Sequence, residues 1–598
     1  MQKILIILCF LCLGISEAQN KSLAENYAEQ GEYAKALVIY KELYQQNPNS
    51  QTFLVDLVDT YKNLDSIHQA EDVLVEFLKR PGDYPHIEVE LGYLYQQDQQ
   101  LKKAESLYNS AISKVEIRPV YAYAIGKAFQ KYGLLSYAQQ TYEKAQELRP
   151  STNFLIQLAQ IYGEQSKFDQ MFEMYVDLIE KNERYFKMLN QIFNEFITED
   201  PQNEANLALK KTLLKRNQEE PKLIYNETLS WLFTQQKDYN MAFIQEKAIY
   251  ARSEEKNAKR LFDLAKIVFE EEDFSLAEKI FLEVQDKTNY QSLFYESAQH
   301  LLLILEKRED IKKIEVEEAY QTFFDNEDVN EYTSPILLNW ARFKAFQNND
   351  KTAALQLLDD AADAEIRKTQ EAELKTLKAD ILLKDEQFNQ ALLLYAQVER
   401  LVPNSDLSRE SKFKTAQASY FKGDFKWALS QLDVLKNSVS ELIANDAMEL
   451  ALHIKDNAYQ DSTQTDLKKV AKADFLKFQN KNTEAIQVLE QVLEDYKTEE
   501  IIDKTLYRLA QIHNENQDLE QASTYYQKLI DDHPESILAD NANFELGLIY
   551  MNKLNQPKKA QTYFESIIFN YSDSIFFVAA RRYFRELRGD KIKENADI

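Results

Sequence analysis

Four alanines, Ala36, Ala70, Ala104 and Ala138, stand 34 residues apart near the start of this chain. Each is set in the same frame of small and aromatic residues. A period of that length leaves room for one helical hairpin per unit. So short a unit cannot bury its own apolar face, and has to stack against copies of itself. The copy from Pro119 to Pro150 shows the frame most clearly: before Ala138 come Gly126, Phe129 and Gly133, and after it Tyr142, Ala145 and Pro150. The spacing predicts a first helix over about 120–131 and a second from Ser136 to Leu148, closed by Pro150. Between them Tyr132-Gly133 breaks the helix, because glycine readily takes the left-handed conformation that ends helices. Gly126 and Ala138 are small where two helix backbones approach closely. Phe129, Tyr142 and Ala145 fill the space between this pair and the next.

This frame resembles that of the tetratricopeptide repeat (TPR), and it extends far along the chain. Later landmarks are Met171, Ala208, Ala242, Ala277, Ala354, Ala391, Ala428, Ala485, Ala522 and Ala560. Good copies surround Phe388-Ala391-Tyr395-Pro403, Gly423-Phe425-Ala428 and Leu519-Ala522-Tyr526-Pro534. Those near Met171, Ala208 and residues 290–325 are degenerate. The fold class expected is all-α, an α-α superhelix (TPR solenoid) of about 14–16 helix-turn-helix units. Composition agrees. Gly (10) and Pro (11) are scarce, while 35 Tyr and 33 Phe supply a continuous core.

Residues 1–18 read as a secretory signal peptide. Lys3 gives the positive start, Ile4 to Ile15 an apolar run, and Ser16-Glu17-Ala18 the small residues of a cleavage site. The run is short for a membrane span, and no other long apolar run follows, so no transmembrane segment is expected after its removal. Cys9 and Cys12 lie inside it, preceded by Leu8 and Leu11 where a lipid-attachment box wants a small residue. The mature chain would carry no cysteine. An N-terminal array is expected over 19–327 and a C-terminal array over 328–598, divided at the polar, acidic stretch 322–335, which ends in Pro335. The 57 residues from Ala428 to Ala485 exceed one unit and predict an extra helix near 440–457 and a polar loop over 460–466. The last hundred or so residues resemble the repeats of envelope TPR proteins such as the TPR lipoprotein of the outer-membrane β-barrel assembly machine. The missing lipid-attachment box is a departure from that pattern.

The net charge of −27 disfavours nucleic acid, since a phosphate-backbone binder needs clustered Lys and Arg. No Gly-rich phosphate loop, H-E-x-x-H or G-x-S-x-G is present, and no two of the six histidines stand at the i, i+4 spacing of helical metal ligands. No catalytic residue, cofactor or metal is expected. Trp231, Trp340 and Trp427 read as packing residues within repeat helices.

The resemblance implies a surface for protein or peptide partners, lined by the first helices. Carried onto this sequence, it places His86, Val89, Tyr93, Gln96, Tyr123, Lys127 and Gln130 there. Tyrosine offers contact area at little cost in rotamer entropy. The clamp with which some TPR proteins hold chaperone tails needs Lys and Asn at places that here hold Val55, Asp59, Val89, Tyr93, Tyr123 and Lys127. The function implied is a non-enzymatic, exported scaffold in cell-envelope assembly, secretion or organisation. Its location would be the periplasm or outer-membrane periphery in a Gram-negative cell, and otherwise outside the cell. Membrane association would be peripheral, through a partner. The alternative is a carbohydrate-binding or nutrient-uptake accessory protein.

Overall fold

The computed structural model describes residues 19–149, 154–182, 184–435, 441–458, 464–495 and 499–589. The leader read at 1–18, Pro150, and residues 460–463 of the polar loop lie outside these. The described residues hold 32 helices and no strand. They fall into two compact units, the first ending at Thr288 and the second starting at Asn289.

In the first unit the hairpins follow the frame. Gln51–Asn63 pairs with Ile67–Leu78, Pro85–Gln97 with Leu101–Ile117, and Ala122–Lys131 with Leu135–Leu148. A single 3-10 turn, Pro119–Tyr121, leads into the last of these. Each helix packs on its successor, and Pro85–Gln97 also meets Ala122–Lys131, first helix to first helix. The core is therefore continuous. Leu91 and Leu94 close one apolar cluster while Val89, on the same helix, opens the next.

The hairpin turns show why the frame is so regular. A residue with left-handed backbone lies five positions before the landmark at thirteen of the fourteen landmarks. In the first four units these are Gly31 (φ 77), Asp65 (φ 54), Gln99 (φ 60) and Gly133 (φ 65). Further examples precede Met171 (Ser166), Ala242 (Lys237) and Ala560 (Asn555). The residue after it donates its N–H back to the carbonyl five or six places earlier, as Leu134 does to Phe129 (2.9 Å) and Gln100 to Tyr95 (2.8 Å). That bond satisfies a carbonyl the helix end would leave orphaned. Most of these turns lack glycine, so turn geometry comes from the fold more than from local preference. Ala208 is the exception. Its helix, Glu204–Glu219, starts from Asn203, whose side chain accepts from the Ala205 and Asn206 N–H groups.

Ala36, Ala70, Ala104 and Ala138 are all buried. At Gly92 a β-carbon would lie 2.5 Å from the Tyr108 ring, and at Gly126 it would overlap the Tyr142 ring. Gly126→Ala is therefore expected to cost about 1–3 kcal/mol by overpacking. Gly133→Ala, which meets no neighbour but sits at φ 65, should cost about 1–2 kcal/mol through backbone strain alone. Urea unfolding of Gly126→Ala in the Tyr142→Leu background separates the two causes: only the overpacking cost shrinks when the ring is removed.

The second unit repeats the design. Gly547 faces Phe564 as Gly126 faces Tyr142, with one residue more between them. A π-helical turn, Ile549–Lys553, accommodates it. The stretch 322–335 lies inside this unit: one helix ends at Phe324 and the next begins at Ser334, with Pro335 in its first turn. The extra helix is Glu441–Ala458. No helix among the described residues is long and apolar enough to cross a membrane.

Candidate protein-binding face

The first helices of three successive repeats bring their side chains together in the first unit. Tyr132, at the end of Ala122–Lys131, stacks on Tyr93 of Pro85–Gln97 with centroids 3.8 Å apart and planes at 11°. The Lys62 ammonium, from Gln51–Asn63, lies 4.3 Å from the Tyr132 ring centroid and 5.1 Å from that of Tyr93. It also donates to the Tyr132 hydroxyl at 3.0 Å and to Asp59 at 3.0 Å. Beneath them Glu90 is almost wholly buried. It accepts from Lys131 at 3.1 and 3.3 Å and from the Tyr132 hydroxyl. Lys131 also pairs with Asp59 at 2.8 Å.

The electrostatics follow from burial. Desolvation raises the Glu90 carboxyl above its usual range, opposed by the Lys131 charge and the Tyr132 hydroxyl. Burial, with Glu90 and Asp59 nearby, holds the Tyr132 phenol far up, so it stays a neutral donor. The result is a rigid aromatic and cationic platform spanning three repeats.

The seven residues assigned to this face meet different fates. Tyr93 belongs to the platform. Tyr123, 54% exposed, and Lys127 are open to a partner. Gln96 and Gln130 are half-buried, and each accepts from the second-helix tyrosine of its own repeat, Tyr108 at 3.0 Å and Tyr142 at 3.3 Å. His86 is half-buried, and burial lowers its imidazole pKa. Val89 needs correction. It is fully buried in the core with Phe129 and Ile125, because the next first helix packs over it, so it contributes packing and no contact surface. Lys62, Glu90 and Tyr132 were missed. Lys62 was legible, since it holds in its repeat the place that Gln96 holds in the next.

The tryptophans also diverge. Trp340 is buried and parallel to the Tyr320 ring at 6.0 Å. Trp231 is half-buried, and Trp427 is exposed. In the second unit, first helices and the extra helix Glu441–Ala458 line an open cavity of about 500 Å³ whose lining includes Tyr420, Asp474 and Arg508. Asp474 accepts from Arg508 Nε at 2.7 Å and from the Tyr420 hydroxyl at 2.8 Å, and that hydroxyl lies 3.1 Å from His453 Nε2. Among the described residues no group of three His, Asp or Glu side chains is placed to hold a metal ion.

Family models described as tetratricopeptide repeat match residues 27–83, 504–536 and 541–574. These stretches are tetratricopeptide repeats. The TPR units suggest a protein-interaction scaffold, a role in which the fold is typically non-catalytic. Solved structures similar to this TPR chain include a Naa15/Naa10 complex bound to HypK-THB, at 13% identity over 96% of each chain with a TM-score of 0.28. The APC/C hetero-tetramer Cut9-Hcn1 matches at 13% identity over 97% of this chain and 98% of that one, TM-score 0.23. The C-terminal part of a TPR repeat-containing protein from Cytophaga hutchinsonii matches at 14% identity over 47% of this chain and 98% of that one, TM-score 0.25. No curated protein matches the sequence.

Proposed function

We propose that this TPR protein is an exported, non-enzymatic scaffold that holds protein or peptide partners along its first helices, in assembly, secretion or organisation of the cell envelope. The observation that carries the binding part is the platform of Lys62, Tyr93 and Tyr132, with Tyr123 and Lys127 exposed on the same run of first helices. Stacked, hydrogen-bonded aromatics lose little freedom on binding, which is the property of a contact hot spot. Export rests on the leader read at residues 1–18.

Site-specific photocrosslinking from position 123 in living cells tests the binding part. A discrete crosslinked protein, lost in the Tyr93→Ala/Lys127→Ala variant, is the expected result; a pattern indifferent to those changes would remove the face from consideration. Cell fractionation with N-terminal sequencing tests export. The mature chain should begin at Gln19 and be absent from the cytosol.

A further inference from the structure

The repeat gives a constant task to the position four residues after each landmark. Tyr108, Tyr142, Tyr395, Tyr526 and Phe564 fill it with buried aromatic rings. After Ala242 the same slot holds Glu246, and it too is buried. The place twelve before the landmark, glycine at 92 and 126, is here Ser230. Ser230 donates to Glu246 Oε1 at 2.5 Å, and Arg260 donates to both carboxylate oxygens at 2.8 Å. A buried carboxylate in a slot that most other units fill with an aromatic ring or a leucine, as at Leu74, Leu358, Leu432 and Leu489, gives up apolar burial, and such departures from a chain's own pattern mark functional sites.

Beside this ion pair lies a cavity of about 290 Å³ in the first unit. Phe186, Trp231, Leu264 and Ile267 form its apolar lining. Its remaining polar groups are mostly acceptors: Glu227, Asp263, one of whose oxygens already pairs with Lys259 at the surface, and Asn190, whose Oδ1 is buried without a hydrogen-bond partner. The cation in the lining, Arg260, is committed to Glu246, and it also lies 4.0 Å from Glu227. The volume is at the bottom of the range for small-molecule pockets, which is about 300–1,000 Å³, and suits one long side chain.

We propose that this pocket seats a lysine or arginine side chain of a basic partner segment lying on the first helices. The aliphatic stem would lie against Trp231, Leu264 and Ile267, and the cationic head would meet the acceptors. The chain's charge of −27 favours the approach of such a segment. The proposal rests on the scaffold reading and names the partner's chemistry.

The test is panning of a random peptide library against the full mature chain, followed by affinity measurements on synthetic copies of the selected peptides. Selected peptides should share a required lysine or arginine. Replacing it by norleucine should weaken binding about tenfold. Trp231→Ala should do the same, and so should Asp263→Asn, which changes an exposed side chain and leaves the core intact. Peptides that bind without a basic residue, or that ignore both substitutions yet weaken with Tyr93→Ala/Lys127→Ala, would overturn the pocket and leave the scaffold standing. Failure to select any peptide would count against both.

Discussion

Replacing Ala138 by tryptophan is expected to destabilise the first unit by about 1–3 kcal/mol or more. Ala138 is fully buried in a cluster with Phe129, Tyr142 and Ala145. The hairpin has no slack there, since Tyr142 already lies against the bare backbone of Gly126. An indole has to push the two helices of the hairpin apart, and the next repeat loses its seat. Stacked repeats need not unfold in one step, so the loss is best read regionally. Amide exchange across 104–145 should accelerate, while exchange in 204–288 changes far less. Unchanged exchange across 104–145 would mean that the small residue is not there for close packing.

Asp474→Ala should cost the second unit about 3 kcal/mol. Removing one partner of a buried ion pair leaves an uncompensated charge, for which about 3–5 kcal/mol is usual. Arg508 and Asp474 each keep 20% of the side chain exposed, which argues for the lower end. Asp474→Asn retains an acceptor for Tyr420 and should cost less. Urea midpoints of the two variants and the parent chain give the comparison, and an Asp474→Ala midpoint equal to the parent's would show that the pair carries no special weight. The same cluster predicts a pH dependence. Burial, then the Arg508 and Lys504 charges, hold the His453 imidazole well below its ordinary value of 6.5. Below pH 6.5 the unfolded chain takes up a proton that the folded chain refuses, so stability falls as the pH drops below about 6.5. His453→Gln should flatten that slope. Glu90 opposes it, because its raised carboxyl favours the folded state on acidification and loses that advantage as the pH rises through its folded pKa.

The scaffold was legible from residues because it depends on local, repeated requirements. A small residue at each close approach, an aromatic ring beside it and a turn five residues earlier can be recognised one unit at a time. The candidate face was legible only in part. Tyr93, Tyr123 and Lys127 keep exposed surface on their first helices, but Val89 does not, because the frame says which side of a helix faces outward and not how closely the next helix leans over it. Nothing in the repeat frame distinguishes Glu90 from the many other carboxylates of the chain. It is buried because Lys131 and Tyr132, from the following repeat, close over it. Glu246 was visible as a charged residue in an apolar slot, but its meaning depends on Arg260 arriving from the next hairpin.

The sequence by itself determined that the chain is a stack of helical hairpins, since a period of 34 residues with small side chains at fixed places admits little else. Tertiary structure decided which polar side chains are buried, paired or free. Those outcomes are set by contacts between neighbouring repeats, where a few ångströms of helix approach separate a solvated charge from a buried one.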